Sequence, residues 1–213
     1  MKNIDKNKKL MVQYGCGWSA PQNWLNFDSS PTLRFERIPL IGRFYTRNLN
    51  RFPLNVEFGD IVKGLPLASN SVDLLYCSHI LEHLCLYDFR IALSNSWKIL
   101  KPGGVFRIVV PDLKFIAHQY LSDNSENASI NFCIDTSFGE VQRPRGIYNN
   151  LISILGNSHH RWMWDYVGLK SELEKKGFIN IRQAYFKDSE DSGFADVEEE
   201  GRWLNCLGVQ CSK

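Results

Sequence analysis

The 213-residue chain predicts an α/β protein built on a doubly wound, mostly parallel sheet. Three observations carry that prediction. Val72–Ser78 (VDLLYCS) and Val105–Val110 are almost unbroken apolar runs, as expected of strands buried on both faces of a parallel sheet. An amphipathic segment, Asp88–Leu100, lies between them, as a crossover helix must. Glycines and polar residues gather where each predicted strand ends, and open α/β sheets bind ligands outside the carboxyl ends of their strands.

Taken in order, residues 1–9 are polar and carry Lys2, Lys6, Lys8 and Lys9, which reads as a solvated segment. Met11–Tyr14 is the first strand and Trp24–Asp28 the second, with the turn Gly15-Cys16-Gly17 between them. Only ten residues, 18–27, separate Gly17 from Asp28, so the first crossover helix is shortened or absent. Residues 29–54 mix Arg34, Arg37, Arg43, Arg47 and Arg51 with aromatics; they fit a covering helix or lid, or a contact to an anionic partner. Asn55–Ile61 is strand-like and ends in Gly59-Asp60. After Val72–Ser78, the stretch from His79 opens a helical segment. Asp88 is the expected cap of the next helix, and Pro102-Gly103-Gly104 stops it.

Beyond Pro111-Asp112 the pattern loosens, and a substrate-facing insertion is expected at about 112–160, with a helix at Ile116–Leu121 and a polar loop at Ser122–Ser129. Gly168–Lys176 is a short helix stopped by Gly177. Phe178–Phe186 and Leu204–Cys211 are the last strands, joined by an acidic loop in which Glu198-Glu199-Glu200 reads as solvated surface.

Composition narrows the classes. A hydrophobic fraction of 44% and a charged fraction of 23% suit one globular domain over residues 1–213. A net charge of +2 is too small to argue for a nucleic-acid partner. The six cysteines form no CxxC pair, so a tetrahedral zinc site is not indicated. No apolar run reaches the roughly 18 residues of a membrane span, and no signal peptide is evident; a soluble cytoplasmic protein is expected.

The chemistry-bearing residues form a series at successive strand ends: Gly15-Cys16-Gly17, Asp28, Asp60, Ser78-His79 with Glu82-His83, then Pro111-Asp112. A glycine turn lets backbone N–H groups approach a ligand, and an acidic residue on the next strand tip can hold a ribose diol, so a nucleoside cofactor is expected. GxGxxG followed by its helix is absent, which argues against a dinucleotide oxidoreductase.

In these segments the sequence resembles the class I S-adenosylmethionine-dependent methyltransferases, in particular a type 11-like branch. The resemblance rests on GCG, on FGDIVKGLPLASNSVDLLYCSHILEHL and on ILKPGGVFRIVVPDL. NWLNFD and HHRWMWD followed by KKGF are similar to a compact subgroup associated with polysaccharide biosynthesis. The resemblance implies a Rossmann-like sheet of seven strands with the last antiparallel, and S-adenosyl-L-methionine as cofactor. It implies that Gly15, Cys16 and Gly17 approach the carboxypropyl and ribose groups and that Asp28 holds the ribose hydroxyls. Asp60 would meet the adenine amine, Ile61 the ring, and Ser78 and His79 the methionine moiety. Ser19 stands where the family's glycine turn carries a third glycine.

The implied reaction is methylation, with a sugar, glycan precursor or other small molecule as acceptor. A hydroxyl acceptor calls for a general base, and His160 or His79 is the candidate. A non-catalytic methyltransferase-like binding protein and an RNA or protein methyltransferase remain alternatives. Ser78-His79-Ile80 stands where base N-methylating enzymes carry an Asn-Pro-Pro-Tyr type motif. Helical spacing of His79, Glu82 and His83 does not by itself make a metal site, and none is expected.

Overall fold

The computed structural model describes residues 9–40, 42, 51–139 and 159–213. The strands are β1 (Met11–Tyr14), β2 (Leu25–Asp28), β3 (Val56–Phe58), β4 (Val72–Ser78), β5 (Leu100–Pro111), β6 (Ile179–Ala184) and β7 (Cys206–Ser212). The helices are α1 (Pro31–Glu36), α2 (Leu86–Ile99), α3 (Leu113–Ser122), α4 (Ala128–Asp135) and α5 (Tyr166–Lys176). They build a seven-stranded sheet in the order β3-β2-β1-β4-β5-β7-β6. β7 alone runs against its neighbours β5 and β6. This is the expected mostly parallel sheet with an inverted last strand.

One face carries the main core. Val12 and Tyr14 of β1, Leu75 and Cys77 of β4, and Phe106, Ile108 and Val110 of β5 pack under Phe89, Ala92 and Leu93 of α2 and Leu169 and Leu173 of α5. α2 ends at Ile99, and the Pro102-Gly103-Gly104 stretch becomes an irregular entry to β5, with Gly103 at φ +78°. Asp88 lies in the first turn of α2, while Cys85 holds the cap position. α5 begins two residues before Gly168, because Asp165 caps it by accepting from the Gly168 N–H at 2.7 Å. Gly177 ends it at φ +99°, as its sequence position predicts.

The other face is covered unusually. No helix joins β1 to β2; the short link is held by buried amides. Gln13 Nε2 donates to Asn26 Oδ1 (2.6 Å) and to the Ser19 carbonyl (2.8 Å), and Asn26 Nδ2 donates to the carbonyls of Pro21 and Trp24. The connection from β6 to β7 folds back over the exposed side of β1, β4 and β5 instead. Its Phe194, Val197 and Trp203 join Met11, Trp24, Leu74, Tyr76 and Val109 in a second core. A Cβ on Gly193 would lie 2.8 Å from Met11 Sδ, so the connection approaches the sheet at backbone contact distance. Arg107, fully buried on β5, anchors it by pairing with Glu198 (2.6 Å) and Asp188 (2.9 Å) between the rings of Phe194 and Trp203. Glu198 is therefore a buried ion-pair partner and not solvated surface.

Of the predicted insertion, α3 and α4 are described, and α4 replaces part of what reads as loop; residues 140–158 lie outside the described residues. The arginines at 43 and 47 lie outside them as well. Among the described residues, no helix is long and apolar enough to cross a membrane.

Candidate active site

The strand tips converge as the sequence predicts. Gly15 and Gly17 follow β1 with φ +67° and +55°. Both lie in the left-handed region that favours glycine. Asp28, at the tip of β2, is buried and braces this turn. Its Oδ2 accepts from the Gly17 N–H at 3.0 Å and its Oδ1 from the Ser30 N–H at 2.8 Å. A carboxylate has about four acceptor positions, so capacity remains for a ligand diol. The Cys16 side chain is buried, and burial pushes its thiol up to about 12, with the Asp28 charge adding to the shift. Asp60 accepts from the Val62 N–H at 3.0 Å and pairs with Lys63 at the outer edge. Ile61 is buried in the main core beside it.

Between β1 and β4 lies a narrow cleft of about 10 Å³, lined in part by Gly15, Cys16, Tyr76, Ser78, Glu199 and Arg202. Arg202 lines it and Ile80 packs on its glycine wall, neither of them marked as a site residue by the sequence. Ile80 presses on the glycine turn, so that a Cβ on Gly15 would lie 2.0 Å from its Cδ1. Arg202, from the β6–β7 connection, donates from Nε to Ser78 Oγ (3.0 Å) and from Nη2 to the Ser78 carbonyl (2.6 Å). An isolated arginine in an acidic loop gives no sequence signal that it reaches a site more than a hundred residues away.

Beyond Ser78 the chain turns sharply at His79, φ +55°, into a 3-10 turn, Leu81–His83. This turn gathers the histidines. His79 Nε2 meets the Arg202 carbonyl at 2.9 Å, and its Nδ1 stands 3.4 Å from Glu82 Oε1. Burial opposes the charged form of His79, but contacts to Cys206, Glu82 and the Arg202 carbonyl outweigh it and raise the imidazolium to about 10. The His159–Trp164 segment is tied over the turn, since the Arg161 and Trp162 N–H groups both donate to the Glu82 carbonyl, at 2.7 and 3.1 Å. That tie brings His160 beside His83, with ring centroids 5.1 Å apart. Burial lowers the His160 imidazolium, with Glu82 opposing the shift. Trp164 is core, packed on Phe89 at 4.3 Å, whereas Trp162 is 40% exposed at the rim. Of the predicted site residues, Gly15, Cys16 and Ser78 line the cleft, Gly17 and His79 adjoin them in the chain, Asp28 is bonded to Gly17, His160 stands apart beside His83, and Asp60 and Ile61 lie beyond β3.

Residues 12–108, which supply the glycine turn, Asp28, Asp60 and Ser78-His79, match a family model described as a methyltransferase domain. That stretch of the chain is similar to a methyltransferase domain. The fold is also that of solved structures. A SAM-dependent methyltransferase from Archaeoglobus fulgidus shares 18% identity at a TM-score of 0.52, over 98% of this chain and 87% of that one. A SAM-dependent methyltransferase from Thermotoga maritima, described as a possible histamine N-methyltransferase, shares 19% at 0.51, over 96% and 82%. No curated protein matches the chain in sequence.

The donors present fit S-adenosylmethionine. Asp28 and the two left-handed glycines form one corner with acceptor capacity left on the carboxylate, as a diol requires, and Asp60 offers an acceptor one strand further out. The cleft itself is narrow, about 10 Å³, with Arg202 bonded across to Ser78.

Proposed function

We propose that the chain is an S-adenosylmethionine-dependent methyltransferase acting on a hydroxyl of a sugar, glycan precursor or other small molecule, as a member of the compact subgroup associated with polysaccharide biosynthesis. The observation that supports this most is the histidine cluster around Glu82, which adjoins the cofactor cleft through His79. A hydroxyl, unlike an amine, must lose its proton as it is methylated, and such a cluster suits that demand. Trp162 at the rim offers a flat apolar surface to a sugar ring.

S-adenosylmethionine supplies a methyl group on a sulfonium, whose departure leaves a neutral thioether. The protein's task is alignment. Asp28 would hold the ribose hydroxyls and Asp60 the adenine amine, with Ile61 beside the ring, and the backbone of Gly15, Cys16 and Gly17 would line the approach. Arg202, now bonded to Ser78, is a cation of the cleft that would hold the methionine carboxylate. His160 stands on the acceptor side. Its Nδ1 is held by the Thr136 carbonyl at 3.0 Å, so its Nε2 is the nitrogen available to the acceptor proton. Both nitrogens of His79 face protein groups, which suits that residue to positioning. The hydrogen bond between His160 and the Thr136 carbonyl, just past α4, supports an acceptor-facing role for the described part of the insertion, α3 and α4. The described cysteines are all unpaired, which supports a reducing, cytoplasmic setting.

The narrow cleft favours one second reading, a binding protein that holds cofactor without transfer. Incubation of the full chain with methyl-labelled S-adenosylmethionine and a panel of free and nucleotide-linked sugars separates the two. Label in a sugar supports the proposal. Cofactor binding with no transfer to any acceptor supports the second reading, and label in RNA or protein overturns the acceptor class.

A further inference from the structure

We propose that Glu82, His83 and His160 bind a divalent first-row transition-metal cation on the acceptor side of the cofactor cleft. One ligand atom from each of the three, a carboxylate oxygen and two imidazole nitrogens, all lie within 4.8 Å of one another.

The hydrogen bonds fix which nitrogens face inward. His83 Nδ1 lies 3.1 Å from the His159 carbonyl, and His160 Nδ1 lies 3.0 Å from the Thr136 carbonyl. A carbonyl oxygen only accepts, so each Nδ1 carries the proton and each Nε2 keeps its lone pair. Metal-ligating histidines are oriented in this way, one nitrogen donating to a carbonyl and the other turned to the ion. His83 Nε2 is 4.0 Å from Glu82 Oε1.

The carboxylate supplies an independent observation. The Glu82 side chain is 1% exposed, and among the described residues neither of its oxygens receives a hydrogen bond. A buried carboxylate without donors is costly and calls for a positive partner. His79 Nδ1, at 3.4 Å, stands within ion-pair range of Oε1 but lacks hydrogen-bond geometry, and it meets one oxygen only. A cation between Glu82 and the two Nε2 atoms satisfies the group, with His79 as the positioning neighbour.

Two nitrogens and one carboxylate oxygen form a set suited to borderline divalent ions, and three protein ligands leave positions open, as catalytic metal sites do. The role of the site rests on the O-methylation proposed above, with His160 Nε2 then holding the ion in place of taking the acceptor proton itself, though the existence of the site does not rest on it. A hydroxyl bound at an open position is acidified by the ion and gives its proton to solvent water. Its oxygen then bonds to the methyl carbon as the carbon–sulfur bond breaks, its electron pair passing to sulfur.

The test is titration of the chelator-treated full chain with Co2+, read by visible absorption and by calorimetry. One equivalent is expected to bind with a nitrogen and oxygen ligand-field spectrum. Glu82→Gln and His160→Ala are each expected to weaken binding by about 10–100-fold or more. His118→Ala, on the surface of α3, is expected to leave it unchanged. His160 lies in a partly exposed segment, so His160→Ala tests the site even if Glu82→Gln fails to fold. A melting shift with S-adenosylhomocysteine, measured on each variant, reports folding and the cofactor site separately. Absence of saturable one-to-one binding, or binding that survives both ligand substitutions, overturns the metal site. Co2+ binding without any S-adenosylhomocysteine shift would keep the metal site and overturn its role in methylation.

Discussion

Gly15 is held by two constraints at once: its φ of +67° and the Ile80 side chain pressed against it. Gly15→Ala is expected to cost about 1–3 kcal/mol in backbone strain alone. It should also abolish the S-adenosylhomocysteine melting shift, whereas a variant with native stability and native shift would remove the turn from the site. Arg107 is the corresponding residue on the opposite face, fully buried with Glu198. Arg107→Ala leaves an uncompensated carboxylate in the interior and is expected to destabilise the chain by about 3–5 kcal/mol in urea unfolding. A loss below about 1 kcal/mol would mean that the pair is not the anchor of the connection. The glycine turn and the strand-tip acids were legible from the sequence because both carry local signals. Arg107 was not, since one charge inside VFRIVV leaves the run reading as apolar. Glu198 and Arg202 were hidden for a related reason: their partners are about 90 and 124 residues away, and spacing shows nothing at that range.

At the scale of elements, the strongly periodic segments were legible and the short polar ones were not. β1, β4 and the Gly177 stop follow from local pattern, whereas α4 is only eight residues long, begins inside a polar stretch and leaves its apolar residues Ile130 and Ile134 exposed, so its pattern is too short to announce it. The absent first crossover was readable from chain length, but what covers the bare face was not, because 3-10 turns carrying single aromatics have no period. Helix pairing yields a prediction of its own. Arg90 on α2 grips Glu172 on α5 through two hydrogen bonds, at 2.7 and 3.0 Å. Those bonds hold the Glu172 carboxyl at about 2 instead of 4.5; burial opposes the shift, and Lys175 assists it. A depressed carboxyl contributes stability that is complete above 4.5 and is lost as pH falls from there toward 2. Arg90 is more than half exposed, so the contribution is modest. In thermal melts, the gap between the native chain and Arg90→Ala should close as pH falls through that window. A gap that stays constant down to about pH 2 would show that the pair does not link the helices.

The whole molecule joins a methyltransferase sheet to an unconventional cover. The β6–β7 connection both replaces the missing helix and delivers Arg202 into the cofactor cleft, so core packing and cofactor entry share one segment. The ten-residue gap between Gly17 and Asp28 is therefore compensated from the far end of the chain. The central claim is that the corner made by Gly15, Gly17 and Asp28 still binds the cofactor. Melting of the full chain with S-adenosylhomocysteine tests it most directly, comparing the native sequence with Asp28→Ala. At about 100 times Kd a bound ligand adds about 2.7 kcal/mol. A clear upward shift is expected for the native chain and little or none for Asp28→Ala. No shift for the native chain at millimolar ligand, or an equal shift in both, would contradict the account.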